Sequence, residues 1–192
     1  MNSTAPTGNR TFTRTIRQTA LGLLLGAALA SPAAAVQCGD TIGPNQTVTL
    51  QGTLICDDAV AGLIIVGPTE VDMSNFILSC RDDNQDGVVP SGLVIAGQGA
   101  EVHGGIVVGC QYGVYVAGNG HHTIENAEAE YNESAGFYLL SNRNTVQRNI
   151  SGFSYAGFQT AEESVGNKLK GNSAFYNDVG FLLSSGAKHK LN

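Results

Sequence analysis

Asp72, His103 and Glu125 are the residues of this chain best equipped for chemistry. Each directly follows an apolar residue (Val71, Val102 and Ile124) in segments that resemble one another. If those segments stack, an acid, an imidazole and a second acid stand in one row, an arrangement suited to general acid/base work on a glycan. With one residue between them, the two carboxylates lie roughly 10 Å apart at twice the strand spacing. That separation suits inversion at a sugar carbon better than retention. The row continues as Gln147 and Lys170, which is also how an ordinary solvated sheet face reads.

Three other groups carry chemical potential. Asp82-x-Asn84-x-Asp86-Gly87 places oxygen ligands at alternate positions before a glycine, the first half of a calcium loop. The twelfth position is Leu93 instead of a bidentate Glu, so the expected occupant is a weakly held Ca²⁺ or none, and the bland reading is a soluble polar turn. Tyr115 and Tyr138 fall at equivalent outward positions of successive segments, where aromatic faces can stack on sugar rings or simply cover the sheet. His121 and His122 are adjacent, but neighbours on extended chain point apart and two ligands alone close no metal site.

What positions these residues is a repeat. Gly113-Val-Tyr-Val, Gly136-Phe-Tyr-Leu, Gly157-Phe-Gln-Thr and Gly180-Phe-Leu-Leu start 23, 21 and 23 residues apart. Gly92-Leu-Val-Ile precedes Gly113 by 21 residues, and Gly62-Leu-Ile-Ile precedes Gly92 by 30. The alternation after each glycine is that of a strand with one buried face. A second apolar residue recurs in every unit: Val71, Val102, Ile124, Val146, Leu169 and Leu191. A unit this short cannot fold alone and must stack on its neighbours. Successive units wound as rungs superpose like positions about 4.8 Å apart. Cys110, Asn132, Ser154 and Asn177 then form one further line, able to hydrogen-bond from rung to rung. The expected fold is all-β, a parallel β-helix solenoid of about six coils with a period of 21–23 residues.

The glycine-led starts, the Asn-rich turns (Asn142, Asn144, Asn149, Asn167, Asn172, Asn177) and the period resemble the right-handed parallel β-helix, or pectin-lyase-like, superfamily. The opening Cys38-Gly-Asp-Thr-Ile, with Thr47-Val-Thr-Leu and Cys56, is similar to the first coil of exported bacterial members. The resemblance is specific for fold and not for activity. It implies polysaccharide lyases, hydrolases or epimerases among the relatives, yet their signatures are mostly missing. Val102-His103-Gly104-Gly105 lacks the leading glycine of a hydrolase Gly-His-Gly turn, and Lys168-Leu169-Lys170 matches the basic motif only faintly. Some exported members serve in copper-enzyme maturation. Met73, Cys80, His103 and Cys110 are soft donors in neighbouring rungs, but disulfide formation would withdraw both thiols.

Arg10, Arg14 and Arg17 precede an apolar run from Ala20 to Ala30, followed by Ser31-Pro-Ala-Ala-Ala. That is the pattern of a secretory signal peptide, residues 1–35, too short for a membrane span. Its removal leaves 7 Lys+Arg against 16 Asp+Glu, a net charge of −9. Such a surface argues against nucleic acid and anionic lipid as partners, and it favours polyuronates only through bridging Ca²⁺. No remaining stretch spans a membrane, and the expected location is secreted, periplasmic or at the cell surface. Export permits disulfides. Of three pairings, Cys38–Cys56 would close the first coil and Cys80–Cys110 would join like positions of adjacent rungs; the alternative for the second pair is two free, buried thiols.

Residues 36–61 read as the cap or first coil and 62–192 as the repeats. The chain stops as the second strand of the last unit begins, which reads as truncation or as fraying of the last rungs, and its open edge invites oligomerisation. The functional expectation is a non-catalytic exported surface or polysaccharide-binding protein. The rival is a polysaccharide lyase, hydrolase or epimerase acting through Asp72, His103 and Glu125.

Overall fold

A computed structural model describes residues 35–57, 61–81, 89–184 and 190–191. Every regular element among them is a strand and every strand pair is parallel. The chain is a right-handed parallel β-helix of about six turns, with three sheets meeting at three corners. Sheet A contains β1 (Asp40–Ile42), the first part of β3 (Ala61–Arg81) and of β4 (Ser91–His103), then β6 (Tyr112–Val116), β9 (Ala135–Leu139), β12 (Ala156–Thr160) and β15 (Val179–Leu182). Sheet B takes the first part of β2 (Thr47–Asp57), the middle of β3, the end of β4, β7 (Thr123–Glu125), β10 (Thr145–Gln147), β13 (Lys168–Lys170) and β16 (Lys190–Leu191). Sheet C takes the end of β2, the end of β3, β5 (Ile106–Val108), β8 (Glu128–Glu130), β11 (Ile150–Gly152) and β14 (Ser173–Phe175).

The leading glycines recur because nothing larger fits. A Cβ at Gly113 would lie 2.7 Å from the carbonyl oxygen of Gly136, and one at Gly157 would lie 2.6 Å from that of Gly180. At Gly136 it would meet the Ser151 hydroxyl at 2.0 Å. At Gly62, Gly92, Gly113, Gly136 and Gly157 the strand packs too closely on the next rung and on sheet C to admit a Cβ, so the period seen in the sequence is a packing requirement of the rungs before the last.

Side chains pile in single file inside. Phe137, Phe158 and Phe181 stack with ring centroids 4.8 and 5.0 Å apart. Burying each of the first two fully contributes about 1.5–3 kcal/mol. Volume is balanced across the core. The file on sheet C shrinks from Leu78 through Val107 and Ala129 to Ser151, and its smallest polar residue falls in the rung where sheet A, after Leu63, Leu93 and Val114, turns to Phe137. Dense interiors demand such compensation. It leaves the buried Ser151 hydroxyl without a partner.

Three polar ladders run through the corners. Cys110 N donates to Asn132 Oδ1, Asn132 N to Ser154 Oγ, and Ser154 N to Asn177 Oδ1. The sequence points to that line. It does not separate out the other two, whose asparagines read there only as polar turns. Ala100 N donates to His122 Nδ1, His122 N to Asn144 Oδ1 and Asn144 N to Asn167 Oδ1. Ala127 N donates to Asn149 Oδ1 and Asn149 N to Asn172 Oδ1. Asn144, Asn149 and Asn167 are fully buried. Each supplies the acceptor that a bent backbone needs where sheet pairing is interrupted.

Cys38 is bonded to Cys56 and Cys80 to Cys110, with Cα atoms 5.5 and 4.9 Å apart. The second bridge joins adjacent rungs and heads the Asn132 ladder. The loop holding Asp82, Asn84 and Asp86, and nearly all of residues 1–35, lie outside the described residues.

Candidate functional site

The register of sheet B sets Asp72, His103, Glu125, Gln147 and Lys170 side by side. The row expected from the sequence therefore exists, and its three central side chains, His103, Glu125 and Gln147, bond to one another. Glu125 Oε1 accepts from His103 Nδ1 at 2.9 Å. Its Oε2 accepts from Gln147 Nε2 at 2.6 Å and from the Arg148 guanidinium. Arg148 also donates from Nε to Asn126 Oδ1 at 3.1 Å. The hydrogen bond from Gln147 is the largest cause holding the Glu125 carboxyl below its ordinary value, with His103 and Arg148 adding to it. Asp72 does not join. Its Oδ1 accepts from the Ser74 hydroxyl at 2.6 Å and from Ser74 N at 2.9 Å, and the hydroxyl is the main reason its carboxyl is lowered.

Both carboxylates are thus held ionised by close donors. A general acid on a glycosidic oxygen needs the reverse, a carboxyl raised toward neutrality. A carboxylate saturated by an imidazole, an amide and a guanidinium is also a weak base. The geometry suits a surface clasp that ties β4, β7 and β10 together.

On sheet A, Tyr115 and Tyr138 are adjacent in register, with ring centroids 5.5 Å apart. A third ring, Tyr112, joins them, stacked on Tyr138 at 5.0 Å and tilted on Tyr115 at 5.6 Å. Burial, then the two neighbouring phenols, raises the Tyr138 hydroxyl above its ordinary value. Tyr112 pairs with Ala135 of the next rung.

Tyr131, Phe153 and Tyr176 form a second aromatic group, which the sequence reading missed. They occupy the corner between sheets C and A in three successive rungs. Rings of Tyr131 and Phe153 stack at 4.6 Å and 2°, and those of Phe153 and Tyr176 at 5.2 Å and 19°. All three are exposed, Tyr176 to 80%. All three have left-handed backbones, with φ of 54°, 55° and 52°, a conformation that costs a bulky residue about 1–2 kcal/mol. A signal was available: each immediately precedes a residue of the Asn132–Ser154–Asn177 ladder.

Metal donors are mostly engaged. All four cysteines are disulfide-bonded, Met73 is fully buried in the core, and His103 bonds to Glu125. His122 is buried. Its Nδ1 accepts from Ala100 N and its Nε2 bonds to the Ala117 carbonyl. Burial is the chief cause holding that imidazole below its ordinary value. Among the described residues, no three His, Cys, Asp or Glu side chains are placed to hold a metal ion. Nor is any helix among them long and apolar enough to cross a membrane.

A disulfide-bonded right-handed β-helix of this form is an exported repeat protein. The family described as "Periplasmic copper-binding protein (NosD)" matches residues 63–192, more than half of the chain, and the chain belongs to that family. Searches of curated proteins and of solved structures give no match. The donors among the described residues do not fit a resident copper ion.

Proposed function

We propose that this protein is a non-catalytic exported scaffold that binds extracytoplasmic polysaccharide through aromatic side chains on the outside of the β-helix. The observation that carries the reading is a contrast on the outer surface. The Asp72, His103 and Glu125 row has both its acids locked as carboxylates, while Tyr115 and Tyr138, joined by Tyr112, form an aromatic patch held on rigid strands. Fixed aromatic groups with polar hydroxyls suit sugar rings, which offer apolar and hydroxylated faces together. Export is assigned to residues 1–35 as a cleaved signal peptide, which a mass of the exported protein starting at Val36 would support.

Retention of glycans without turnover is expected from a panel of neutral and uronate oligomers, with and without Ca²⁺. Cleavage that disappears in His103→Ala overturns the non-catalytic part and restores the lyase, hydrolase or epimerase reading. Absence of retention overturns the binding part. Retention of uronates only with Ca²⁺ would give the Asp82, Asn84 and Asp86 loop a bridging role. Copper, which the family's description names, is not part of this reading, because no three donor side chains converge among the described residues.

A further inference from the structure

Along the corner between sheets C and A lies a shallow, open groove of about 560 Å³. One wall is the stack of Tyr131, Phe153 and Tyr176. The other is Glu133, Tyr155 and Asp178, one from each of the same three rungs. Asn132 and Ser154 line it between the walls, and their ladder bonds fix the spacing of the rungs. We propose that this groove is a binding site for a glycan carrying free amino groups, lying along the helix axis. The proposal rests on the polysaccharide-binding reading above and assigns it a second place and a ligand class.

The aromatic wall is not explained by folding. Left-handed corners are filled most easily by Gly or Asn, and the rung before Tyr131 has Gly109 at the equivalent place, with φ 70°. Three large rings stand there instead, against steric preference, and remain 59%, 40% and 80% exposed. Gly109 has no side chain to cover the near face of the Tyr131 ring. The opposite wall selects by charge. Glu133 and Asp178 flank Tyr155 in the rungs on either side. Carboxylates facing aromatic rings attract an ammonium group, through ion pairing on one side and cation–π contact on the other. The same acids repel a uronate.

The test compares binding of glucosamine, N-acetylglucosamine and galacturonate oligomers to the disulfide-bonded protein by calorimetry. The glucosamine oligomer should bind tightest and weaken with salt. Tyr131→Asn, Phe153→Asn and Tyr176→Asn together keep a residue that tolerates φ > 0, so the fold persists, checked by circular dichroism. They should weaken binding roughly tenfold or more. Glu133→Gln and Asp178→Asn should each weaken it about two- to five-fold and flatten the salt dependence. Equal binding of the acetylated oligomer, preference for the uronate, or indifference to the charge variants overturns the ligand class. Binding lost in Tyr115→Ala/Tyr138→Ala but kept in the triple Asn variant overturns this site and leaves the broader reading standing. No binding by any oligomer overturns both.

Discussion

The two corners that flank sheet C share a backbone and differ in what they do with it. Entering sheet C from sheet B, the left-handed positions are Gly104, Asn126, Arg148 and Gly171, with φ of 69°, 58°, 55° and 60°. Leaving sheet C for sheet A, they are Gly109, Tyr131, Phe153 and Tyr176, with φ of 70°, 54°, 55° and 52°. Each corner is followed at once by an internal ladder, through Asn149 in one case and Asn132 in the other. At the first corner the side chains turn back on the protein: Arg148 reaches Glu125 and Asn126. At the second they stand exposed in a row. The fold dictates the bend and the acceptor beneath it, and leaves the outward residue free. A surface whose polar groups satisfy one another is a structural surface, whereas one that exposes strained aromatic rings is available for a ligand.

The largest expected effect separates the corners by their anchoring. Cys110 is bridged to Cys80 and heads the ladder under the aromatic corner; the Asn149 ladder has no such bridge. Replacing both cysteines by serine opens a 30-residue loop and should cost about 3–4 kcal/mol by the loop-entropy account. Chemical denaturation measures the loss. Hydrogen exchange should show the amides of Asn132 and Ser154 losing more protection than those of Ala127 and Asn149, and equal losses would mean that the corners are not independently held.

The ladders themselves provide the next comparison. Asn149 Nδ2 donates to the Ile124 carbonyl and to Asn172 Oδ1, whereas Asn132 Nδ2 is buried without a partner. Asn149→Ser should therefore cost about 1–3 kcal/mol, since it leaves buried groups unpaired. Asn132→Ser should cost less than about 1 kcal/mol, because serine already serves one rung later at Ser154. Thermal unfolding of the two variants side by side decides the point.

A smaller effect follows from the charges beside the two corners. Glu125 and Asp72 titrate below their ordinary 4.5 and 3.8. Their stabilisation is complete above those values and is lost as pH falls through the lowered ones. Glu130 is raised instead, so its contribution is present at low pH and fades as pH rises through its folded value. Glu125→Gln should flatten the loss of stability on acidification, and Glu130→Gln should stabilise the protein at neutral pH relative to acid pH. A pH series of melting temperatures tests both directions.

The fold was legible because a solenoid writes its geometry as a period. Gly92, Gly113, Gly136 and Gly157 mark where a Cβ would strike the next rung, and Phe137, Phe158 and Phe181 lie in the one file their spacing requires. The Asp72, His103 and Glu125 row was legible for the same reason. What the row does was not, because it depends on residues outside the repeat's register: Ser74 captures Asp72, and Arg148 comes from a corner. The groove was missed because its rings sit at turns, where period-two alternation carries no information. Only the neighbouring ladder residues mark the place.

The smallest expected effect is the most informative about the second corner. Phe153→Asn exchanges a strained aromatic residue for one that adopts φ near 55° with little difficulty. It relieves about 1–2 kcal/mol of backbone strain and forfeits stacking on Tyr131 and Tyr176 and an edge contact with Phe175, each pair worth about 0.5–1.5 kcal/mol. The strain relief offsets much of that loss, so the melting temperature should fall only slightly. A near-silent stability effect together with weakened glycan binding would place Phe153 on the ligand's side of the ledger. A large drop in stability would mean instead that the aromatic file is a structural clasp like the one at Glu125, and the contrast between the corners would disappear.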